Sequence, residues 1–228
     1  NNSKTDYQFT DWSYTPLTIW NETSKEAHWK NRPDKNQPFF AVFNDTQTHE
    51  SKTWQDPEKT DPDRVEVPPY YPDTEPVRKS IARLYDQIHK MDAKAGQFLQ
   101  ELKEEGIADN TIVFFWGDHG DGLPRGKRWP YDSGTRIPLI IKWPGRIKSG
   151  SVNKDLISSI DFGPTVLSMA GVDIPAWMQG RAFLGKQKSE PRKYVFSHRD
   201  RFDESYDKIR SVRDSRCRYV KNYYTNTP

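Results

Sequence analysis

The chain has 228 residues, a formal net charge of +3 at pH 7 and a single cysteine, Cys217. The charges are too nearly balanced to indicate a nucleic-acid-binding protein, one cysteine excludes an intrachain disulfide, and no apolar run approaches the length of a membrane span. Apolar residues make up only 33% of the chain, so we expect a core that is small for this length, as in half of a domain.

The N-terminal third of the chain is predicted to contain little regular structure. Residues 1–35 are polar, with scattered aromatics and no clear period, which indicates a surface segment. The apolar run at 38–43 predicts a strand that leads to His49. Residues 51–75 contain five prolines and predict an irregular loop, of a kind that often forms a functional rim.

A long amphipathic helix follows this loop. Glu75 and Pro76 predict its first turn, and Gly106 predicts its end. Apolar residues between these points recur at the spacing of one helix face. They are Val77, Ile81, Leu84, Tyr85, Ile88, Met91, Ala95, Phe98, Leu99 and Leu102. The helix leads into a strand, which is the order of elements in a layered α/β domain.

Two apolar runs, 111–116 and 137–143, predict strands that are buried on both faces, and a glycine-rich loop joins them. This loop carries Asp118, His119 and Lys127. Ligands of open α/β sheets bind beyond the carboxyl ends of the strands. The loop therefore predicts a site for a metal ion and an oxyanion.

The rest of the chain contains fewer signals. Asp161 predicts the N-cap of a short helix that ends at Ala170, with Pro164 in its first turns. After about residue 175 the sequence becomes charged and irregular, and one strand is predicted near Arg216 to Lys221.

Several motifs occur in a fixed order along the chain. The most specific begins at residues 117–120 (Gly-Asp-His-Gly) and continues through Lys127 to residues 131–145. Further blocks are residues 38–49, 159–172 and 198–213. This order resembles the type I sulfatases of the alkaline phosphatase superfamily, and the resemblance extends over most of residues 36–222.

The resemblance implies a layered α/β/α sheet, here incomplete, in residues 1–175, and the start of a smaller C-terminal α+β subdomain in residues 176–228. Such sulfatases make formylglycine from a Cys/Ser-x-Pro-x-Arg motif, which does not occur here. Cys217 has no proline two residues on, and the proline after Ser13 stands one position late. Because the chain also begins without methionine, we expect it to be the C-terminal portion of a longer protein and inactive alone.

The resemblance assigns metal ligation to Asp118 and His119. By itself, Asp118 would be interpreted as a residue that caps a turn at a strand end. Its carboxylate suits Ca²⁺, the cation that we expect, but histidine is an unusual calcium ligand. Mn²⁺ and Zn²⁺ are therefore alternatives.

His49 and Lys127 are the catalytic residues that the resemblance implies. Lys127 would contact a sulfate oxygen and stabilise charge on the transferring group. His49 would bind the sulfate and assist the departure of the alcohol. The alternatives are a solvated lysine and a structural histidine.

Substrate contacts are expected from the loop around Lys127 and from the start of the C-terminal subdomain. The residues are Arg128, Trp129, His198, Arg199 and Arg201. Cationic and aromatic side chains suit an anionic sugar. For the charged residues, the alternative is a solvated surface.

The activity implied is hydrolysis of a sulfate ester on a sulfated carbohydrate, in which a metal-activated formylglycine hydrate attacks sulfur. A phosphonate or phosphodiester hydrolase of the same superfamily is one alternative, and a non-catalytic glycan-binding relative is another. The resemblance also implies a secreted, periplasmic or lysosomal location, and neither nucleic acid nor a membrane span is expected.

Overall fold

The computed structural model describes residues 19–54, 59–202 and 205–225. Two compact units divide the chain, Asn1–Gly96 and Gln97–Pro228. The boundary expected after residue 175 stays a prediction. No helix of the described residues is long and apolar enough to cross a membrane.

An aromatic cluster around Trp29 organises the first unit. Trp29 is buried, and its ring centroid lies 5.9 Å from that of Phe39 and 5.5 Å from that of Phe43. The strand predicted at 38–43 is wrong for the described residues, since only Phe43 makes a β-bridge there. A strand needs a neighbour for its backbone hydrogen bonds, and here the rings of Phe39 and Phe43 pack on Trp29 instead, while Phe40 stays exposed.

Helix α1 spans Glu75–Glu104, which confirms the predicted start and end. Gly106 has φ +70°, and its N–H donates to Lys103 O at 3.0 Å, as expected of a left-handed residue that closes a helix. Ile81 and Leu102 are buried, whereas other members of the apolar stripe remain partly exposed. These are Tyr85, Ile88 and Leu99.

The proline-rich segment has only short 3-10 turns, at Glu50–Lys52 and Pro62–Arg64, so the predicted irregular loop is confirmed in its described part. Buried Asp86 of α1 fixes this segment. Its carboxylate accepts hydrogen bonds from the Thr60 N–H at 2.9 Å and the Thr60 hydroxyl at 2.6 Å.

A two-stranded antiparallel sheet begins the second unit. Strand β1 (Val113–Trp116) pairs with β2 (Leu139–Lys142), and the short helix α2 (Asp132–Thr135) lies in the connection. Both strands were predicted, with longer bounds. Burial on both faces is wrong for this pair, because Trp116 is 42% and Ile140 is 64% exposed. An antiparallel pair can leave one face uncovered.

Helix α3 (Phe162–Ala170) follows a 3-10 turn, Ser159–Asp161. Asp161 occupies the predicted N-cap position, but its side chain does not cap α3, which corrects that expectation. The carboxylate accepts instead from Arg192 Nε at 2.7 Å and from the N–H of Arg181 at 2.8 Å. A buried charge requires such partners, and the guanidinium outcompetes the helix end.

A three-stranded antiparallel sheet ends the second unit. Its strands are β3 (Val195–Phe202), β4 (Ser205–Arg213) and β5 (Arg218–Asn222), in that order. Strand β5 confirms the strand predicted near Arg216, but β3 and β4 lie where irregular structure was expected. Their charged residues alternate with buried ones such as Ile209 and Ser211, the pattern of a half-covered strand.

We expect Asp161→Asn to lower the free energy of unfolding by about 3–5 kcal/mol, because it leaves the largely covered guanidinium of Arg192 without its counter-charge. Urea denaturation of the full chain measures this loss. Exposed Asp173 provides the control, and Asp173→Asn should change little. Equal, small effects of the two substitutions would contradict the importance of this ion pair.

The same carboxylate predicts a loss of stability in acid. Burial opposes its ionisation, but hydrogen bonds from Arg192, Arg181 and Ser158 outweigh burial and hold the pKa of Asp161 below its ordinary value. Ionised Asp161 therefore stabilises the fold fully above the unfolded pKa of about 3.9, and this contribution is lost as the pH falls through the folded-state pKa. Between about pH 4 and pH 2, the stability of Asp161→Asn should depend less on pH than that of the wild type.

Candidate functional site

The loop between β1 and α2 folds closely on itself. The N–H of Gly120 donates to Gly134 O at 3.0 Å, and the N–H of Lys127 donates to Asp121 O at 2.6 Å. A Cβ on Gly120 would collide with the Ser133 carbonyl. Only glycine permits such an approach of two backbone segments, so Gly120 serves here as a packing position.

Asp118 and His119 present two metal-ligating atoms side by side at the start of this loop. Asp118 Oδ2 lies 3.5 Å from His119 Nε2. His119 Nδ1 lies 2.8 Å from Gly120 O, and because a carbonyl only accepts, Nδ1 carries the proton in this contact. With the proton on Nδ1, Nε2 is the ring atom that could ligate a metal, and it lies on the side of Asp118.

These two donors fit part of a metal site. A structural or catalytic zinc takes four ligands, and calcium takes six to eight. The described residues contain no cluster of three or more His, Cys, Asp or Glu side chains able to hold a metal ion. A cation bound by Asp118 and His119 would thus need ligands from other residues.

The cationic segment lies farther along the same loop. Arg125 and Arg128 have φ values of 70° and 83°, a left-handed backbone that costs free energy in residues other than glycine. Lys127, between them, is half-buried, while Arg128 is exposed. The turn therefore brings three cations into four consecutive positions beyond Asp118.

Trp129 and Arg199, two predicted substrate contacts, lie together. The guanidinium carbon of Arg199 is 4.3 Å from the centroid of the Trp129 ring, and the Tyr131 ring stacks on Trp129 at 5.8 Å. Arg199 Nε and Nη1 are buried without hydrogen-bond partners, and Nε lies 3.6 Å from Asp207. The Trp129 ring is thus already engaged by protein groups.

His198 lies apart from this pair. Neighbouring residues of a strand point to opposite faces, so His198 is exposed and lines a shallow groove with Phe196, whereas Arg199 is turned toward Trp129. The ladder is irregular between Arg199 and Arg201, and Arg201 is exposed. His198 and Arg199 therefore do not share one face, although their roles as substrate contacts stay predictions.

An arginine pair that the sequence interpretation missed holds α2. Arg213 Nη1 lies 2.6 Å from Asp132 Oδ2, and Arg218 Nε lies 2.8 Å from Asp132 Oδ1. Burial raises the pKa of the Asp132 carboxyl, but the two arginines outweigh this effect and keep that pKa below its ordinary value. Arg213 pairs directly with Arg218 across β4 and β5, and such facing like charges call for a carboxylate.

His49 belongs to the first unit. It is exposed and caps the turn Glu50–Lys52, where Nδ1 lies 2.8 Å from Ser51 Oγ and 3.3 Å from Ser51 N. These contacts are those of a structural histidine. Its catalytic role stays a prediction.

Two protein-family models match the chain. The family model described as Sulfatase matches residues 6–172, and the one described as N-sulphoglucosamine sulphohydrolase, C-terminal, matches residues 119–227.

Two relatives illustrate the similarity. The chain is 41% identical to an ulvan-active sulfatase of Formosa agariphila, over 98% of this chain and 43% of the relative. It is 30% identical to the human N-sulphoglucosamine sulphohydrolase, over 75% of this chain and 37% of the relative. The chain therefore spans less than half the length of these curated relatives.

Solved structures agree with the predicted α/β class. The protein yidJ of Bacteroides fragilis is 29% identical with a TM-score of 0.57, over 67% of this chain and 35% of that one. A phosphonate monoester hydrolase of Silicibacter pomeroyi is 30% identical with a TM-score of 0.54, over 68% of this chain and 35% of that one.

Two helical glycines test the close approach in the loop. In Gly134→Ala the new Cβ meets the carbonyl oxygens of Trp129 and Gly126, so we expect a loss of about 1–3 kcal/mol. Gly96 in α1 has open space around its Cβ position, and Gly96→Ala should stabilise by about 0.5–1 kcal/mol. Thermal denaturation of both variants measures the contrast. Stabilisation by Gly134→Ala would contradict the loop packing described above.

Proposed function

Because the chain belongs to the sulfatase family, we propose that it supplies the metal-binding and oxyanion-binding loop of an enzyme that hydrolyses sulfate esters. The observation that supports this most directly is the placement of Asp118 and His119 with their ligating atoms side by side, in the loop that also carries Lys127. Asp118 and His119 would bind the metal cation that the reaction requires. Lys127 would contact the sulfate anion.

The proposed substrate class is a sulfated carbohydrate. The human relative is named for a sulfated sugar, and the Formosa agariphila relative for its activity on ulvan. Arg128, beside Lys127, adds an exposed guanidinium that suits a sulfate group. His198, Arg199, Arg201 and Trp129 complete the proposed substrate contacts.

Sulfatases generally use a divalent metal and formylglycine. The metal supplies a Lewis acid that polarises an oxygen of the sulfate and activates the nucleophile. In this chain Asp118 Oδ and the lone pair of His119 Nε2 would hold it. We propose Ca²⁺ from the carboxylate, with Mn²⁺ or Zn²⁺ as alternatives because of the imidazole.

Lys127 and His49 have separate roles in the proposed reaction. The Lys127 ammonium would donate hydrogen bonds to sulfate oxygens, and its fixed charge would stabilise the charge that develops on them. The His49 imidazole would donate a proton to the departing alcohol oxygen. The chain contains no Cys/Ser-x-Pro-x-Arg sequence, so it supplies these contacts and not the nucleophile.

A second candidate is hydrolysis of phosphonate or phosphate esters. Two observations favour it: the similarity to the Silicibacter pomeroyi phosphonate monoester hydrolase, and the histidine next to Asp118, which suits a transition metal. Rates of hydrolysis of matched sulfate and phosphate monoesters by the natural full-length protein, each with added Ca²⁺ or Mn²⁺, decide between the two. A secreted, periplasmic or lysosomal location stays a prediction of the family resemblance.

Lys127→Ala in the natural full-length protein should lower kcat by roughly 10²–10³-fold on a sulfated sugar, because one cation that stabilises the developing charge is lost. Steady-state kinetics measures this effect. Lys148 is exposed and lies outside the loop, so Lys148→Ala serves as the control and should keep wild-type kinetics. If Lys127→Ala also keeps them, Lys127 is not a catalytic residue.

Asp118→Asn should weaken divalent metal binding by roughly tenfold or more, because the amide lacks the carboxylate charge. Titration of the metal-free full-length protein with Ca²⁺ and with Mn²⁺ measures the affinity directly. Asp109 lies outside the loop, and Asp109→Asn should leave the affinity unchanged. Unchanged metal affinity in Asp118→Asn would remove Asp118 from the metal site.

A further inference from the structure

The strongest long-range connection of the loop runs through Asp132, the first residue of α2. Its carboxylate accepts hydrogen bonds from Arg213 of β4 and Arg218 of β5, which lie 81 and 86 residues farther along the chain. The side chain of Arg218 is 12% exposed and that of Arg213 is 24% exposed. The Asp132 side chain is 50% exposed, and because a single ion pair at such a site contributes little, the contact depends on both covered arginines.

Arg218 contacts the loop at two points. Besides Asp132, its Nη1 donates to Pro130 O at 2.9 Å. Pro130 is buried and follows Trp129, whose ring lies against Arg199 of β3. All three strands of the C-terminal sheet therefore touch the segment that begins two residues after Lys127.

Helix α2 transmits this support to the other end of the loop. Gly134, two residues after Asp132, accepts the hydrogen bond from the N–H of Gly120, and Gly120 directly follows His119. The carbonyl of Gly120 in turn orients the His119 ring. Asp132 is thus connected to the proposed metal ligands through helix α2 and the hydrogen bond between Gly134 and Gly120.

We propose that Arg213 and Arg218 are positioning residues: by holding Asp132 and Pro130 against the C-terminal sheet, they set the distance between the Asp118–His119 pair and Lys127. The loop from 117 to 131 has no strand or helix of its own, so contacts from α2 and the C-terminal sheet add to its few internal hydrogen bonds in fixing its shape. A displacement of about 1 Å at such a site can cost about 10²-fold in rate. The catalytic part of this inference rests on the proposed function, whereas the support of the loop does not.

The test compares Arg213→Ala/Arg218→Ala with Arg216→Ala in the natural full-length protein. Arg216 is an exposed arginine in the turn between β4 and β5, where its charge acts on Asp214, so it is the matched control. Three properties are measured: hydrogen exchange of the amides in 117–131, affinity of the metal-free protein for Ca²⁺ and Mn²⁺, and kcat and KM on a sulfated sugar.

In the double variant we expect amide exchange in 117–131 to rise about tenfold, metal affinity to fall by roughly tenfold, and kcat to fall by roughly 10–100-fold with less than about a twofold change in KM. Arg216→Ala should match the wild type in all three. Asp132→Asn, which keeps the shape of the side chain, should reproduce the losses. Asp132→Glu, which keeps the charge, should recover a large part of kcat.

Two results would overturn the inference. One is unchanged exchange and metal affinity in both Asp132→Asn and the double variant, since the loop would then not depend on the arginines. The other is a rise in KM without a change in kcat or exchange, which would make the arginines substrate contacts. If the wild type hydrolyses neither ester, the proposed function fails, while the exchange and metal measurements still decide whether the sheet supports the loop.

Discussion

The loop 117–131 and helix α2 pack so closely that no side chain fits at Gly120, Gly126 or Gly134. This constraint gives a stretch without strands or helices a defined shape. Because the loop closes on itself, Asp118 and His119 near its start and Lys127 farther along belong to one packed structure.

Ion pairs between aspartate and arginine connect both the loop and α3 to distant parts of the chain. Asp132 and Asp161 both lose solvation in the fold, and in both cases arginines contributed by later segments outweigh the cost and keep the pKa low. Removing Asp161 would leave the largely covered Arg192 guanidinium without compensation, whereas Asp132 is half-exposed and solvent screens its pairs. The charged C-terminal sheet β3–β5 therefore carries arginines that contact α2 and the end of the loop.

Local signals predicted local structure well. Proline, glycine and apolar spacing marked α1 to within two residues of its end, and the apolar runs marked β1 and β2. The strand predicted at 38–43 did not form, because aromatic side chains of an apolar run can also pack on another ring, here Trp29. Strands β3 and β4 were missed because their inward positions include serine as well as isoleucine, and many of the residues between them are arginines. The apolar residues therefore do not recur at every second position, which is the pattern that predicts a strand.

The sequence by itself determined the family and the residue types of the candidate site, since Asp118, His119 and Lys127 lie within one short loop and their order is a local property. Only the tertiary structure decided which charges meet. Arg218 and Asp132 are 86 residues apart, and no spacing rule links two residues at that distance. Strand register also separated His198 from Arg199, neighbours in sequence, because adjacent side chains of a strand point to opposite faces.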